Sequence, residues 1–305
     1  MSAAPRAMTS RSIVRLRRVA QRVTVAAVLC LAAARRVSAQ SITAQTVIDR
    51  IKAHVGVPWK LPTVDTIKAG DANTPVTGIA VTMMATFDVL QRAARDGQNL
   101  VITHEPTFYD HLDSTATLLR ESDAVTRAKL KFIADHHMVV WRFHDYAHAM
   151  HPDIILSGVV RALGWTAWQA RDMPWRIRMP GTTLAALADS IRRTLGAHAL
   201  RVVGDPTMKV SSIALVPGAA GFSLHRLAMR DSTAQVLVIG EAREWETVEY
   251  LDDAIAAGQH RALIIIGHIP SEQPGMEDAT RWLRTFITEV PVTFVPAKDP
   301  FWMMR

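Results

Sequence analysis

Cysteine is nearly absent from this 305-residue chain, which holds only Cys30. An internal disulfide, an iron–sulfur cluster and a thiolate zinc site are thereby excluded. The Walker loop, the G-x-S-x-G elbow, the H-E-x-x-H zinc motif and the dinucleotide G-x-G-x-x-G are missing too. Acids are missing from residues 1–39, which carry eight arginines: Arg6, Arg11, Arg15, Arg17, Arg18, Arg22, Arg35 and Arg36. The formal charge of +7 therefore belongs to this leader, leaving 27 bases against 28 acids in the rest. Nucleic acid is not an expected partner of so balanced a remainder.

The leader has the three parts of a secretory signal: a basic stretch ending at Arg22, an apolar segment over 23–34, and the small-residue site Val37-Ser38-Ala39. An apolar segment this short does not span a bilayer, which takes about 20 residues. Cleavage before Gln40 predicts a periplasmic or secreted chain with no membrane association and no cysteine. Leu29 before Cys30 argues against lipid attachment, and Arg17-Arg18 leaves the twin-arginine route open beside the general one.

Beyond residue 40 the pattern alternates between helix and strand. Apolar spacing predicts helices over 46–55, 86–96, 124–135, 154–163 and 183–195. Short β-branched runs predict strands over 76–83, 100–103, 138–141, 200–203, 212–216, 236–239 and 262–266. This βαβα order predicts an α/β fold with largely parallel sheets. The Trp- and Pro-rich stretch 165–180 reads as a domain junction. Pro217-Gly218-Ala219-Ala220-Gly221 follows a strand and precedes a helix, so it reads as a tight turn or as amides facing an anion.

Histidines and acids gather just after three of the strands, where open α/β sheets place ligands. The clusters are His104-Glu105-Pro106, His144-Asp145-Tyr146-Ala147-His148 with His151, and His268-Ile269-Pro270-Ser271-Glu272. Imidazole and carboxylate are the usual donors to borderline divalent metals. Ser271 reads as the cap of a helix whose first turn carries Glu272. Glu241 reads equally as a proton shuttle or as a solvated acid after the strand over 236–239. His111, His136, His137, His225 and His260 read as surface or packing residues.

These residues also carry a resemblance. The stretch from Asp65 to Pro106, the segment running from His144 to Leu163-Gly164, and the ending from Gly240-Glu241 to Gly267-His268-x-x-x-Glu272 resemble the Nif-three-like family, often labelled GTP cyclohydrolase I type 2. The resemblance implies two α/β domains with a dinuclear metal site in the cleft between them. The expected boundaries are a signal peptide over 1–39, a first domain over 40–173 and 280–305, and a second over 174–279. It further implies a homohexamer and two divalent ions per chain (Zn, Fe, Mn, Co or Ni). Hydrolysis of a small phosphoester, cyclic amide or nucleotide-like substrate suits such a centre; metal storage or a metal-stabilised scaffold is the alternative. A secretion signal departs from the family's intracellular habit and weakens GTP as a substrate.

The family pattern supplies His-His, Asp, and His with Glu as ligands. Here Glu105 stands at the second His, and counting back from Leu163-Gly164 puts His148 at the Asp, given one extra residue before His151. The two changes conserve three imidazoles and two carboxylates, so the expected ligands are His104, Glu105, His148, His268 and Glu272. Asp145, His151 and Asp153 are the fallback donors.

Overall fold

The computed structural model describes residues 42–230 and 233–304; the predicted signal peptide lies outside these residues. Two five-stranded sheets organise the chain, each with helices packed on it. The chain enters through α1 (Ala44–His54), capped by the Thr43 hydroxyl. The first sheet is then built from β1 (Ile67–Ala69), β2 (Ile79–Thr82), β3 (Leu100–Thr103), β4 (Val139–Arg142) and the late strand β10 (Val292–Phe294). Their order is β1-β4-β3-β2-β10, with β10, β2, β3 and β4 parallel and β1 antiparallel at the edge. Every residue of β2, β3 and β4 is buried, as expected where helices cover both faces of a parallel sheet.

Helices α2 (Phe87–Arg95), α3 (Ala116–Arg120) and α4 (Ala124–Asp135) connect these strands. Two further helices, α5 (Asp145–Ala149) and α6 (Ile154–Ala162), follow β4. The second sheet then comprises β5 (Arg176–Thr183), β6 (Arg201–Val203), β7 (Lys209–Val216), β8 (Val236–Ile239) and β9 (Ala262–Ile265). Its order is β5-β7-β8-β9-β6, with a parallel centre and both edges antiparallel. Helices α7 (Leu184–Leu195), α8 (Phe222–Arg230) and α9 (Glu249–Ala256) belong to this half. No helix among the described residues is long and apolar enough to cross a membrane.

The stretch over 165–180 is not wholly a junction, because Arg176 begins β5. Pro180 and Gly181 sit where the register with β7 slips between Arg178 and Thr182. An edge strand tolerates a missing donor at such an irregularity.

Helix α10 (His268–Leu283) starts at the end of β9 and packs against α6, β2 and β10. Ile269, Met276, Ala279 and Leu283 enter the same core as Ile79, Ile102 and Trp141. Crossing helices α6 and α10 meet at paired glycines: a Cβ on Gly158 would lie 2.4 Å from the Gly275 Cα. Only hydrogen in place of both side chains allows that approach. Ser271 does not cap α10 as expected, since the helix begins three residues earlier; its hydroxyl donates to the His268 carbonyl at 2.8 Å.

Candidate metal centre

Parallel strands of both sheets end at one place, and their next residues form the site. After β3 the chain keeps bonding to the neighbouring segment, His104 N–H to the Thr82 carbonyl and Glu105 N–H to that of Met83. Both side chains are buried there. Nδ1 of His104 lies 3.1 Å from the Phe143 carbonyl, so that nitrogen carries the proton and Nε2 presents a lone pair inward. That Nε2 is buried without a hydrogen-bond partner.

After β4 the buried Asp65 accepts the backbone N–H groups of His144, Asp145 and Tyr146 and so anchors the start of α5. His144 and His148, four residues apart, then turn their rings to the same side. Nδ1 of His144 meets Asp145 Oδ1 at 3.0 Å, and Nδ1 of His148 meets Asp153 Oδ2 at 3.0 Å. Asp153 also caps α6 through its other oxygen. The two Nε2 atoms face distant carboxylates: Glu105 Oε1 lies 3.6 Å from His144, and Glu272 Oε1 lies 3.9 Å from His148.

The first turn of α10 closes the cluster. His268 Nε2 lies 3.1 Å from Glu272 Oε2 and 3.3 Å from Glu105 Oε1. His104 Nε2 is 3.6 Å from Glu272 Oε2. Gly218 makes room for that carboxylate, since a Cβ there would fall on Glu272 Oε1. The Gly218 amide donates to the Ser271 hydroxyl at 3.0 Å, so within the 217–221 loop this group serves a packed turn and not an anion. Arg142, fully buried, donates to the carbonyls of His104 and His111, and its NH2 lies 3.5 Å from Glu105 Oε2.

Charge within the cluster is strongly shifted. Burial drives His104 down to about 4 against the pull of Glu272, keeping the ring neutral. Burial opposes charge on His268 as well, yet Glu105, Glu241 and Glu272 outweigh it and push that ring up to about 12. Glu105, which burial alone would raise, is pulled down to about 2 by His268, His104 and His144. His148 is buried but raised by Asp153, and Glu272 is buried but lowered by His104 and His268.

The residues fit a divalent metal. Two groups, His104 with His144 and His148, and His104 with Glu105 and Glu272, each bring their donor atoms within 4.8 Å of one another. The unpartnered lone pair of His104 is the strongest sign, because a buried acceptor without a partner is costly and a cation repays it. All five sequence-predicted ligands thus meet at one place. His144 is the donor that sequence reasoning passed over, although its H-x-x-x-H spacing to His148 was visible. Asp145 and Asp153 stand behind the imidazoles, and His151 is exposed. Glu241 Oε1 lies 3.6 Å from His268 Nδ1, behind that ring, and lines a separate hollow beside the exposed Phe301 and Trp302.

Glu105, His144, His148, His268 and Glu272 line a cleft of about 490 Å³. An α/β protein of two sheets, with a histidine–carboxylate group that could hold a metal where their strands end, is the class these features define. The Duf34/NIF3 (NGG1p interacting factor 3) family matches residues 65–300, and the chain belongs to that family. Solved structures of similar fold include Staphylococcus aureus protein SA1388, at 16% identity and a TM-score of 0.66, covering 87% of this chain and all of that one. A Bacillus cereus protein related to NIF3 shares 13% identity with a TM-score of 0.67 over the same coverage, 87% and 100%. Reduced HcgD from Methanocaldococcus jannaschii shares 12% identity with a TM-score of 0.55, covering 83% and 98%. No curated protein matches the sequence.

Proposed function

We propose that this chain is an exported, metal-dependent hydrolase, active as a homohexamer and holding two divalent ions through His104, Glu105, His144, His148, His268 and Glu272. The observation carrying this reading is the unpartnered Nε2 of buried His104 among donors whose other members line an open cleft. A storage site has no need of a cleft wide enough for a small molecule, whereas a catalytic site requires one. Divalent ions bound there supply Lewis acidity, polarising a carbonyl or phosphoryl oxygen and bringing water towards ionisation near neutral pH.

The protein's own groups do the rest. Phe143, Asp145 and Asp153 fix the tautomers of three imidazoles, which keeps each Nε2 free to bind. Glu241 acts through His268 as a positioning residue. Arg142 holds the Glu105 carboxylate and the His104 backbone together, compensating a buried negative charge. His111 lines the same cleft outside the donor groups and is the imidazole placed to carry a proton to a leaving group.

The test combines elemental analysis of protein isolated from the cell envelope with hydrolase panels of phosphoesters, cyclic amides and nucleotides. Two equivalents of metal, an N-terminus at Gln40 and activity lost on chelation are expected. Glu105→Ala and His148→Ala are each expected to lower metal content with the fold intact, and Glu105→His with His148→Asp to retain two ions. Full occupancy in both single variants refutes the ligand set. Full metal loading without turnover on any panel refutes catalysis and leaves metal binding alone.

A further inference from the structure

The wall facing the donor group is apolar over most of its extent. Helix α8 buries His225, Ala228 and Met229 in the core, yet Leu224 and Leu227, three residues apart, remain 46% and 47% exposed on the cleft side. Leu156, Trp175, Leu215 and Val216 continue the same surface. Isolated exposed leucines are ordinary in a folded protein. Six large apolar side chains lining one cleft together with a cluster of candidate metal donors are the usual build of a ligand pocket.

Charge narrows the ligand further. The charged side chains lining the cleft, apart from its imidazoles, are the acids Glu105, Asp153 and Glu272, and no described lysine or arginine lines it. A polyphosphate reaching beyond the metal donors would find carboxylate and hydrocarbon where phosphate sites place arginine or lysine, and in the turn at the wall Pro217 has no N–H and that of Gly218 is spent on Ser271.

We propose that the cleft takes a neutral ester or amide with an apolar acyl or aryl body, its carbonyl at the donor end and its hydrocarbon along α8. The proposal rests on the hydrolase reading and adds neutral carboxylic esters and amides to the substrates named there. Hydrolysis then forms a bond from the water oxygen to the acyl carbon and breaks the acyl C–O or C–N bond. The water's proton passes to the departing alcohol or amine.

Two series test it on the metal-loaded protein. The first is binding of methyl n-alkyl ketones, which cannot be hydrolysed, followed by ligand-detected NMR. The second is hydrolysis of 4-nitrophenyl esters from acetate to decanoate. Kd for the ketones is expected to fall, and kcat/KM for the esters to rise, by about fourfold per methylene until the wall ends. The variant Leu224→Asp with Leu227→Asp changes only half-exposed positions and is expected to keep its metal and lose the chain-length gradient.

A flat ketone series overturns the proposal, as does GTP binding more tightly than 2-decanone. An oligomer that dissociates in the double variant while ketone affinity holds assigns this face to a subunit contact and also overturns it. The two readings fail separately. A ketone gradient without turnover of any ester, amide, phosphoester or nucleotide supports the apolar pocket and refutes the hydrolase, whereas phosphoester turnover with a flat ketone series does the reverse.

Discussion

Replacing Gly158 with alanine asks whether the crossing of α6 and α10 sets the metal centre. The new methyl carbon would lie 2.4 Å from the Gly275 Cα, 2.6 Å from its nitrogen and 2.8 Å from the Pro274 carbonyl carbon. All three are backbone atoms, so no rotamer change relieves the clash. Carbon–carbon contact settles near about 3.5 Å, and the helices must therefore part by about 1 Å. Each helix carries part of the site: Asp153 caps α6 and holds His148, while His268 and Glu272 open α10. The separation carries Glu272 Oε1 from 3.9 Å to about 5 Å from His148 Nε2, where metal ligation tolerates about 0.2 Å. Helix propensity favours alanine by about 1 kcal/mol. Overpacking of backbone on backbone costs about 3 kcal/mol, the upper part of its usual range. The net loss of about 2 kcal/mol corresponds to a fall in Tm of about 4–8 °C for a chain of this size. Calorimetry and elemental analysis on Gly158→Ala read both effects. Gly181→Ala, where a Cβ meets nothing within 4 Å, serves as the control. A Tm at or above that of the parent, with full metal occupancy, refutes the argument.

Metal uptake near neutral pH is expected to release at least one proton, because His268 is pushed up to about 12 before a metal displaces its proton. Calorimetric titration in two buffers of different ionisation enthalpy counts it, and zero protons refutes the assignment. Burial holds His225 down to about 4 despite Glu246, so it is neutral in the folded chain. The unfolded chain protonates first, and this contribution, up to about 3 kcal/mol, is present above about pH 6.5 and is lost as pH falls towards 4. Urea unfolding of His225→Gln should show a shallower acid limb than the parent, and identical slopes contradict the reading. Burial likewise lowers Lys129 to about 8 against the pull of Asp113, while its ammonium donates to the Thr107 carbonyl. The parent should therefore gain stability as pH rises from about 8 to 10.5, and Lys129→Met should flatten that rise in the same assay.

The central strands were legible because burial on both faces leaves short, nearly unbroken apolar runs, as in Leu100–Thr103, Val236–Ile239 and Ala262–Ile265. The edge strands Ile67–Ala69 and Val292–Phe294 have three residues each, too few to display a period. Helix α10 was expected only from a Ser271 cap onward and its start was missed, because Pro270, Pro274 and Gly275 count against a helix in local propensity. Tertiary packing overrides that count. Pro270 falls in the first turn, where its missing N–H costs nothing, and Gly275 is required by the crossing with α6.

The site divides along the same line between local and distant information. Placement of histidines and acids after strands was readable, but which of them point inward was not, because His144, Asp145, His148, His151 and Asp153 crowd ten residues. Nδ1 is the ring nitrogen nearer the backbone, so an acid close in sequence reaches it: Asp145 serves His144, and Asp153 serves His148. Nε2 projects outward and meets groups supplied by other elements, Glu105 from the end of β3 and Glu272 from α10. An acid bonded to the Nδ1 of a candidate imidazole ligand is therefore evidence for the imidazole and against the acid. By that rule Asp145 and Asp153 hold the rings, and His144 joins His148 as a donor facing the cleft.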